Sequence, residues 1–121
     1  MPKGSILVVD DDPFIVEFLE DALEDEGYRV LSAVNGEALQ IAHDLHPDLI
    51  LLDIMMPGMD GVEVSRRLRE NPQTANIPIV VMSAQDRLRA TAALMPIDDR
   101  LPKPFELDRL FTTVERWTQT S

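Results

Sequence analysis

The chain has 121 residues, 45% of them hydrophobic, which fits one domain with one core and excludes a disordered chain. Its formal net charge of −11 argues against direct nucleic-acid binding, where Lys and Arg must neutralise phosphates. No apolar run approaches the ~20 residues of a membrane span, no signal peptide opens the sequence, and the lack of cysteine removes disulfides and thiolate metal sites. No membrane insertion is expected, and the cytoplasm is the expected compartment.

Ser5-Ile6-Leu7-Val8-Val9 is a continuous apolar run ending on Asp10-Asp11-Asp12-Pro13. Such a run suits a strand covered on both faces, and Pro at the first helical position after an Asp is a strong helix start. Ile15, Leu19, Ala22 and Leu23 mark one apolar face of the helix, and Gly27 is its predicted stop. Glu24, Asp25 and Glu26 add negative charge at the negative end of that helix. Tyr28 to Ala33 is β-branched and apolar enough for a second strand. Asn35-Gly36 then caps a helix whose predicted core face is Ala38, Ile41, Ala42 and Leu45, closed by Pro47.

Leu49-Ile50-Leu51-Leu52 is apolar throughout and stops on Asp53, so this carboxylate sits at the carboxyl end of a central strand, where open α/β sheets place their chemistry. Asp60-Gly61-Val62-Glu63 opens the next helix with capping-box spacing, and Asn71-Pro72 ends it. Ile77 to Met82 reads as the fourth strand, with Pro78 tolerable near its start and Ser83-Ala84 at its end. Residues 86–95 read as a short helix and Asp99 to Leu101 as a short fifth strand. After Lys103-Pro104-Phe105, the residues Leu107, Leu110, Phe111, Val114 and Trp117 form the apolar face of a last helix, with Trp117 read as a packing residue. Five alternating βα units imply an α/β fold, a parallel sheet with right-handed crossovers and helices on both faces. Residues 1–121 are expected to be a single domain with no output domain attached.

Four of these strands end in polar residues at the same end of the sheet: Asp10-Asp11, Asp53, Ser83 and Lys103. Two carboxylates about 5 Å apart repel by roughly 3 kcal/mol at an effective dielectric of about 20, so three call for a cation or a proton. An all-oxygen site suits Mg²⁺, with Mn²⁺ as a substitute, while zinc is disfavoured without Cys or nearby His. Lys103 can neutralise one carboxylate and later an oxygen of a transferred phosphoryl group, and Ser83 can donate to another. A carboxylate held this way is a competent nucleophile for phosphorus, which points to phosphoryl transfer onto Asp53.

The same residues carry a family resemblance. Ile6-Leu7-Val8-Val9-Asp10-Asp11-Asp12, Leu51-Leu52-Asp53-Ile54-Met55-Met56-Pro57-Gly58-Met59-Asp60-Gly61, Val81-Met82-Ser83-Ala84 and Leu101-Pro102-Lys103-Pro104-Phe105 together resemble the CheY-like receiver domain of two-component response regulators. The resemblance covers essentially the whole chain. It implies a flavodoxin-like (βα)5 doubly wound fold of strand order 2-1-3-4-5, and phosphorylation of Asp53 by a sensor histidine kinase or a phosphotransfer protein. It implies Mg²⁺ held by Asp11 and Asp53, by Asp10 through water, and by the backbone carbonyl of Met55. Ser83, Ala84 and Lys103 would surround the phosphoryl group, and Lys103-Pro104 would be a cis peptide. Met55 and Gln85 would tune dephosphorylation by controlling the approach of water, which the small Ala84 leaves open.

Two features depart from the family pattern. The switch position, three residues before the Lys, usually carries an aromatic residue, and here it is Arg100. Arg100 either lays its stem over the surface with a solvated head, or pairs with the phosphoryl group, with Asp98 or Asp99, or with a partner. The span from Ser83 to Lys103 is shortened, with Met95-Pro96-Ile97 where Gly-Ala is usual before the acidic pair. That surface often carries output or dimerisation in the family, so a homodimer is a candidate assembly but its usual geometry is not carried over.

Asp12 and Asp60 are read as helix caps, and His43 and His46 as solvated residues remote from the cleft. The expected function is a signalling module that catalyses only the phosphorylation and dephosphorylation of its own Asp53 and switches contacts with a downstream protein target. The alternative is a receiver-like interaction scaffold that does not depend on phosphorylation. An aspartyl-phosphate phosphatase would need a second Asp two residues after the nucleophile, where this chain has Met55. A flavin-binding flavodoxin would need a hydroxyl- and glycine-rich phosphate loop where this chain has three aspartates.

Overall fold

Apolar runs become strands here because both of their faces are covered. In the computed structural model, the described residues are 3–34, 37–54, 61–84 and 96–118, Ala84 by its backbone only. The strands are β1 (Ser5–Val9), β2 (Arg29–Ala33), β3 (Leu49–Asp53), β4 (Ile79–Ala84) and β5 (Asp99–Lys103). The helices are α1 (Pro13–Asp25), α2 (Glu37–Leu45), α3 (Gly61–Glu70) and, near the C-terminus, α4 (Leu107–Thr118). All strand pairs are parallel, in the order β2-β1-β3-β4-β5, which is the order the resemblance implies. The predicted cap at Asn35-Gly36, the predicted helix at 86–95, and Met55, Asp60 and Gln85 lie outside the described residues.

The period-2 alternation of a strand divides the core into two layers. Leu7, Val9, Ile50, Leu52, Ile79 and Val81 face Ala38 and Ala42 of α2 and Val64 and Leu68 of α3. Ile6, Val8, Leu49, Leu51, Val80 and Met82 face Leu19 and Leu23 of α1 and Leu110 and Val114 of α4. Every residue of β3 is buried, so its continuous Leu-Ile-Leu-Leu run is what a central strand requires. Each fully buried Leu or Ile contributes about 1.5–3 kcal/mol, so the sheet's middle is the most firmly held part of the chain.

Helix ends follow from local chemistry. Asp12 is the N-cap of α1, its Oδ1 accepting the Phe14 N–H at 3.0 Å, with Pro13 in the first turn. Gly27 adopts φ +99°, a left-handed conformation that lets Tyr28 N–H reach back to the Leu23 carbonyl at 3.0 Å and ends the helix.

Several predicted boundaries and faces differ. β4 begins at Ile79, because Ile77 N–H is committed to the Thr74 carbonyl at 3.1 Å in the preceding turn and Pro78 has no N–H to give. It continues through Ser83 and Ala84, and β5 continues to Lys103, since Ser83 pairs with Pro102 and Ala84 with Lys103. Pro102 is tolerated because β5 is an edge strand. β2 starts at Arg29, with Tyr28 buried just ahead of it. Leu45 and Leu107 are exposed instead of facing the core, since they lie at helix ends where no further turn covers them.

Candidate functional site

The parallel register decides which strand ends meet. Val9 lies beside Leu52, so Asp10 emerges next to Asp53, and Asp53 in turn lies beside Met82, one residue before Ser83. Lys103 closes β5 at the same end. Asp10, Asp53 and Ser83 are buried, whereas Asp11 is exposed.

One carboxylate oxygen from each of Asp10, Asp11 and Asp53 lies within 4.8 Å of the others. At that spacing two ionised carboxylates repel by about 3.5 kcal/mol at an effective dielectric of about 20, an upper figure where Asp11 meets solvent. Two contacts offset part of this. Asp10 Oδ1 accepts the Asp12 N–H at 2.9 Å, and Asp10 Oδ2 accepts from Lys103 Nζ at 2.9 Å. The same ammonium stands 3.7 Å from Asp53 Oδ2. Among the described residues, one ammonium stands against three carboxylates, which leaves the cluster net negative, open to solvent through Asp11, and with carboxylate oxygens as its donors. That donor set fits a hard divalent cation of the Mg²⁺ kind. A cleft of about 430 Å³ opens beside it, bounded by Asp11, Pro13 and Val16 on one side and Ala33, Val34 and Glu37 on the other.

The turn after Lys103 opens on a cis Lys103-Pro104 peptide, as the resemblance implies. Arg100 is exposed on β5, its own N–H donating to Asp99 Oδ1 at 2.8 Å. Among the described residues its guanidinium forms no ion pair, and the two acidic residues offered as its partners are engaged elsewhere. Asp98 Oδ2 pairs with Arg69 and accepts the Ile79 N–H at 2.8 Å. Asp99 Oδ2 accepts the Trp117 indole N–H at 2.8 Å and lies 3.5 Å from Arg116 Nη1. Trp117 therefore packs, as read from its spacing, and also bonds.

Sequence reasoning missed three features near or behind the site. The Asp12 backbone, beyond capping α1, steadies Asp10. Arg69 holds the carbonyls of Ala75, Ile77 and Pro96 at 2.9 Å each, together with Asp98, so it fixes the segment leading into β5. Phe18 and Phe105 stand with ring centroids 6.1 Å apart, joining α1 to the turn after Lys103. An exposed Phe four residues after Phe14 on a helix was the available signal for the last.

The comparisons with known proteins agree with this geometry. The family model described as response regulator receiver domain matches residues 6–115. The chain is 40% identical over 119 residues to the DNA-binding dual master transcriptional regulator RpaA of a Synechocystis strain, covering 94% of this chain and 48% of that protein. It spans about half the length of the curated relatives it matches. The receiver domain of the sensor histidine kinase PA1611 from Pseudomonas aeruginosa, solved with a magnesium ion in its active-site cleft, is 29% identical with a TM-score of 0.89 over 97% of this chain and 98% of that one. The chemotaxis response regulator CheY4 of Vibrio cholerae is 30% identical with a TM-score of 0.83 over 93% and 97%. A parallel sheet of order 2-1-3-4-5, an acidic cluster facing a lysine across its carboxyl end, and a family match along nearly the whole chain lead to one conclusion: this is a receiver domain of the two-component response regulator family.

Proposed function

We propose that this receiver domain takes up a phosphoryl group on Asp53, from a sensor histidine kinase or a phosphotransfer protein, and thereby switches its contacts with a downstream protein target. The observation that carries this reading is the position of Lys103 Nζ, 2.9 Å from Asp10 and 3.7 Å from Asp53, beside three converging carboxylates. An Asp53 oxygen attacks phosphorus, the bond from phosphorus to the donor imidazole nitrogen breaks, and that nitrogen keeps the electron pair. The product is an acyl phosphate, and attack of water on its phosphorus returns Asp53 and inorganic phosphate.

Lys103 neutralises charge on the oxygens of the moving group, and Ser83 donates a hydrogen bond to one of them, at the phosphoryl end shared with Ala84. Asp10, already bonded to Lys103 and to the Asp12 N–H, keeps that ammonium in place before the group arrives. Asp11 and Asp53, with Asp10 through water and the Met55 carbonyl, would hold Mg²⁺, or Mn²⁺ in its stead. When bound, the ion supplies Lewis-acid stabilisation of charge on the phosphoryl oxygens. By the family resemblance, Met55 and Gln85 would control the approach of water and so the lifetime of the acyl phosphate. Arg100 occupies the switch position, and its guanidinium, exposed and without an ion pair among the described residues, supports a role in contacting a partner.

The test is intact-mass spectrometry after incubation with acetyl phosphate or a phosphoramidate, with and without Mg²⁺, for the native chain and Asp53→Asn. A Mg²⁺-dependent, hydroxylamine-labile adduct that is absent in the variant is expected. A folded native chain that forms no adduct overturns this reading in favour of the phosphorylation-independent scaffold.

A further inference from the structure

We propose that Phe18 of α1 is a positioning residue for Lys103, acting through its ring contact with Phe105; the inference rests on Asp53 being the phosphoacceptor. Lys103 is the last residue of β5, and α4 does not begin until Leu107. Its backbone is therefore held by the pairing of Ala84 with Lys103 on one side, while the chain on the other side has left the ladder. The next fixed point is Phe105, which packs against the core layer under α1 and α4 and meets the Phe18 ring at 6.1 Å between centroids, tilted by 40°. That geometry lies within the favourable range for aromatic pairs.

The contact closes a circuit. α1 starts at Asp12, whose N–H holds Asp10 at 2.9 Å; α1 then carries Phe18, Phe18 meets Phe105, and Phe105 lies two residues beyond Lys103, whose ammonium returns to Asp10 at 2.9 Å. The acidic half of the site is thus fixed to the start of α1 and the cationic half to its second turn, so one helix sets their separation. Removing the Phe18 ring leaves Asp10, Asp11 and Asp53 in place but frees the Phe105 turn, and with it the ammonium that meets the phosphoryl oxygens.

The experiment measures the rate of adduct formation from acetyl phosphate by intact mass, and Mg²⁺ affinity by titration calorimetry, for the native chain, Phe18→Ala, Phe18→Tyr and Phe14→Ala. A small donor removes any effect of partner docking. Phe18→Ala is expected to slow adduct formation about three- to tenfold, the span of an aromatic pair's worth, with Mg²⁺ affinity unchanged. Phe18→Tyr, which keeps the ring, restores the rate. Phe14→Ala, one turn earlier at 81% exposure, leaves it native. A native rate in Phe18→Ala overturns the proposal, as does a loss of rate matched by an equal loss of Mg²⁺ affinity. If the native chain itself forms no adduct, the reading of Asp53 fails first and this proposal with it.

Discussion

Replacing Gly61 by alanine tests how tightly the chain closes behind Asp53. Gly61 opens α3, and a Cβ built there lies 2.8 Å from the Cα of Ile54, 3.0 Å from its Cγ2 and 3.1 Å from its Cβ. Ile54 directly follows Asp53, and the closest of these atoms is backbone, so no side-chain rotation relieves the contact. The Gly61 φ lies outside the left-handed region, so the penalty is steric alone. Overpacking of this kind costs about 1–3 kcal/mol. Two effects oppose it: alanine narrows the unfolded ensemble by about 0.4–1 kcal/mol, and it favours helix over glycine, though less at a first helical position than in mid-helix. A 2.8 Å approach to backbone that no rotamer relieves belongs at the upper end of that range, about 2–3 kcal/mol, so the clash wins by about 1–2 kcal/mol. In urea, where a small protein loses about 1–3 kcal/mol per molar, the unfolding midpoint should fall by about 0.5–1 M for Gly61→Ala. A midpoint equal to or above the native one would show that the Ile54 backbone yields freely, and would refute the reasoning.

Three further outcomes follow from the geometry. Asp11→Asn removes the exposed member of the carboxylate cluster, so metal-free stability should rise by about 1 kcal/mol while the rise in melting temperature on adding Mg²⁺ shrinks; a fall in metal-free stability, or a full Mg²⁺ response, contradicts this. Arg69→Lys keeps the charge but cannot reach four acceptors at once, and should cost about 2–3 kcal/mol in urea unfolding, with faster hydrogen exchange at the Ile79 amide held by Asp98; native values for both would exclude the clamp. Asp99→Ala strands the indole N–H of the chain's single tryptophan, so emission from Trp117 should shift and stability drop by about 1 kcal/mol, whereas an unchanged spectrum would mean that the bond is not formed in solution.

The existence and chain order of the five strands and the start of α1 were legible in the sequence because they depend on neighbours along the chain. An apolar run such as Leu49 to Leu52 must be covered on both faces, and Asp12-Pro13 supplies its own capping oxygen and a preset φ. The convergence of Asp10, Asp53 and Lys103 was legible for a related reason: parallel strands share a polarity, so their polar ends share an edge. The strand order itself followed from the resemblance, not from periodicity.

What folding alone decided is which side chains meet across elements. A guanidinium at Arg69 is compatible with a solvated helix face, and only the packing of 74–79 and 96–98 around it turns it into a clamp. Asp98 and Asp99 are adjacent in sequence and engage different partners: Asp98, just ahead of β5, pairs with Arg69 of α3, whereas Asp99, the first residue of β5, accepts from Trp117 of α4. The Ile77 N–H was taken by a turn, which moved the start of β4 by two residues. The joining of Phe18 to Phe105 lies further still from sequence reach: 87 positions separate the rings, and only the parallel sheet with α1 and α4 on one face brings them to 6.1 Å. Local rules set the elements, since each depends on a few consecutive residues; the distances at the acidic end depend on the whole sheet's register, which no single segment contains.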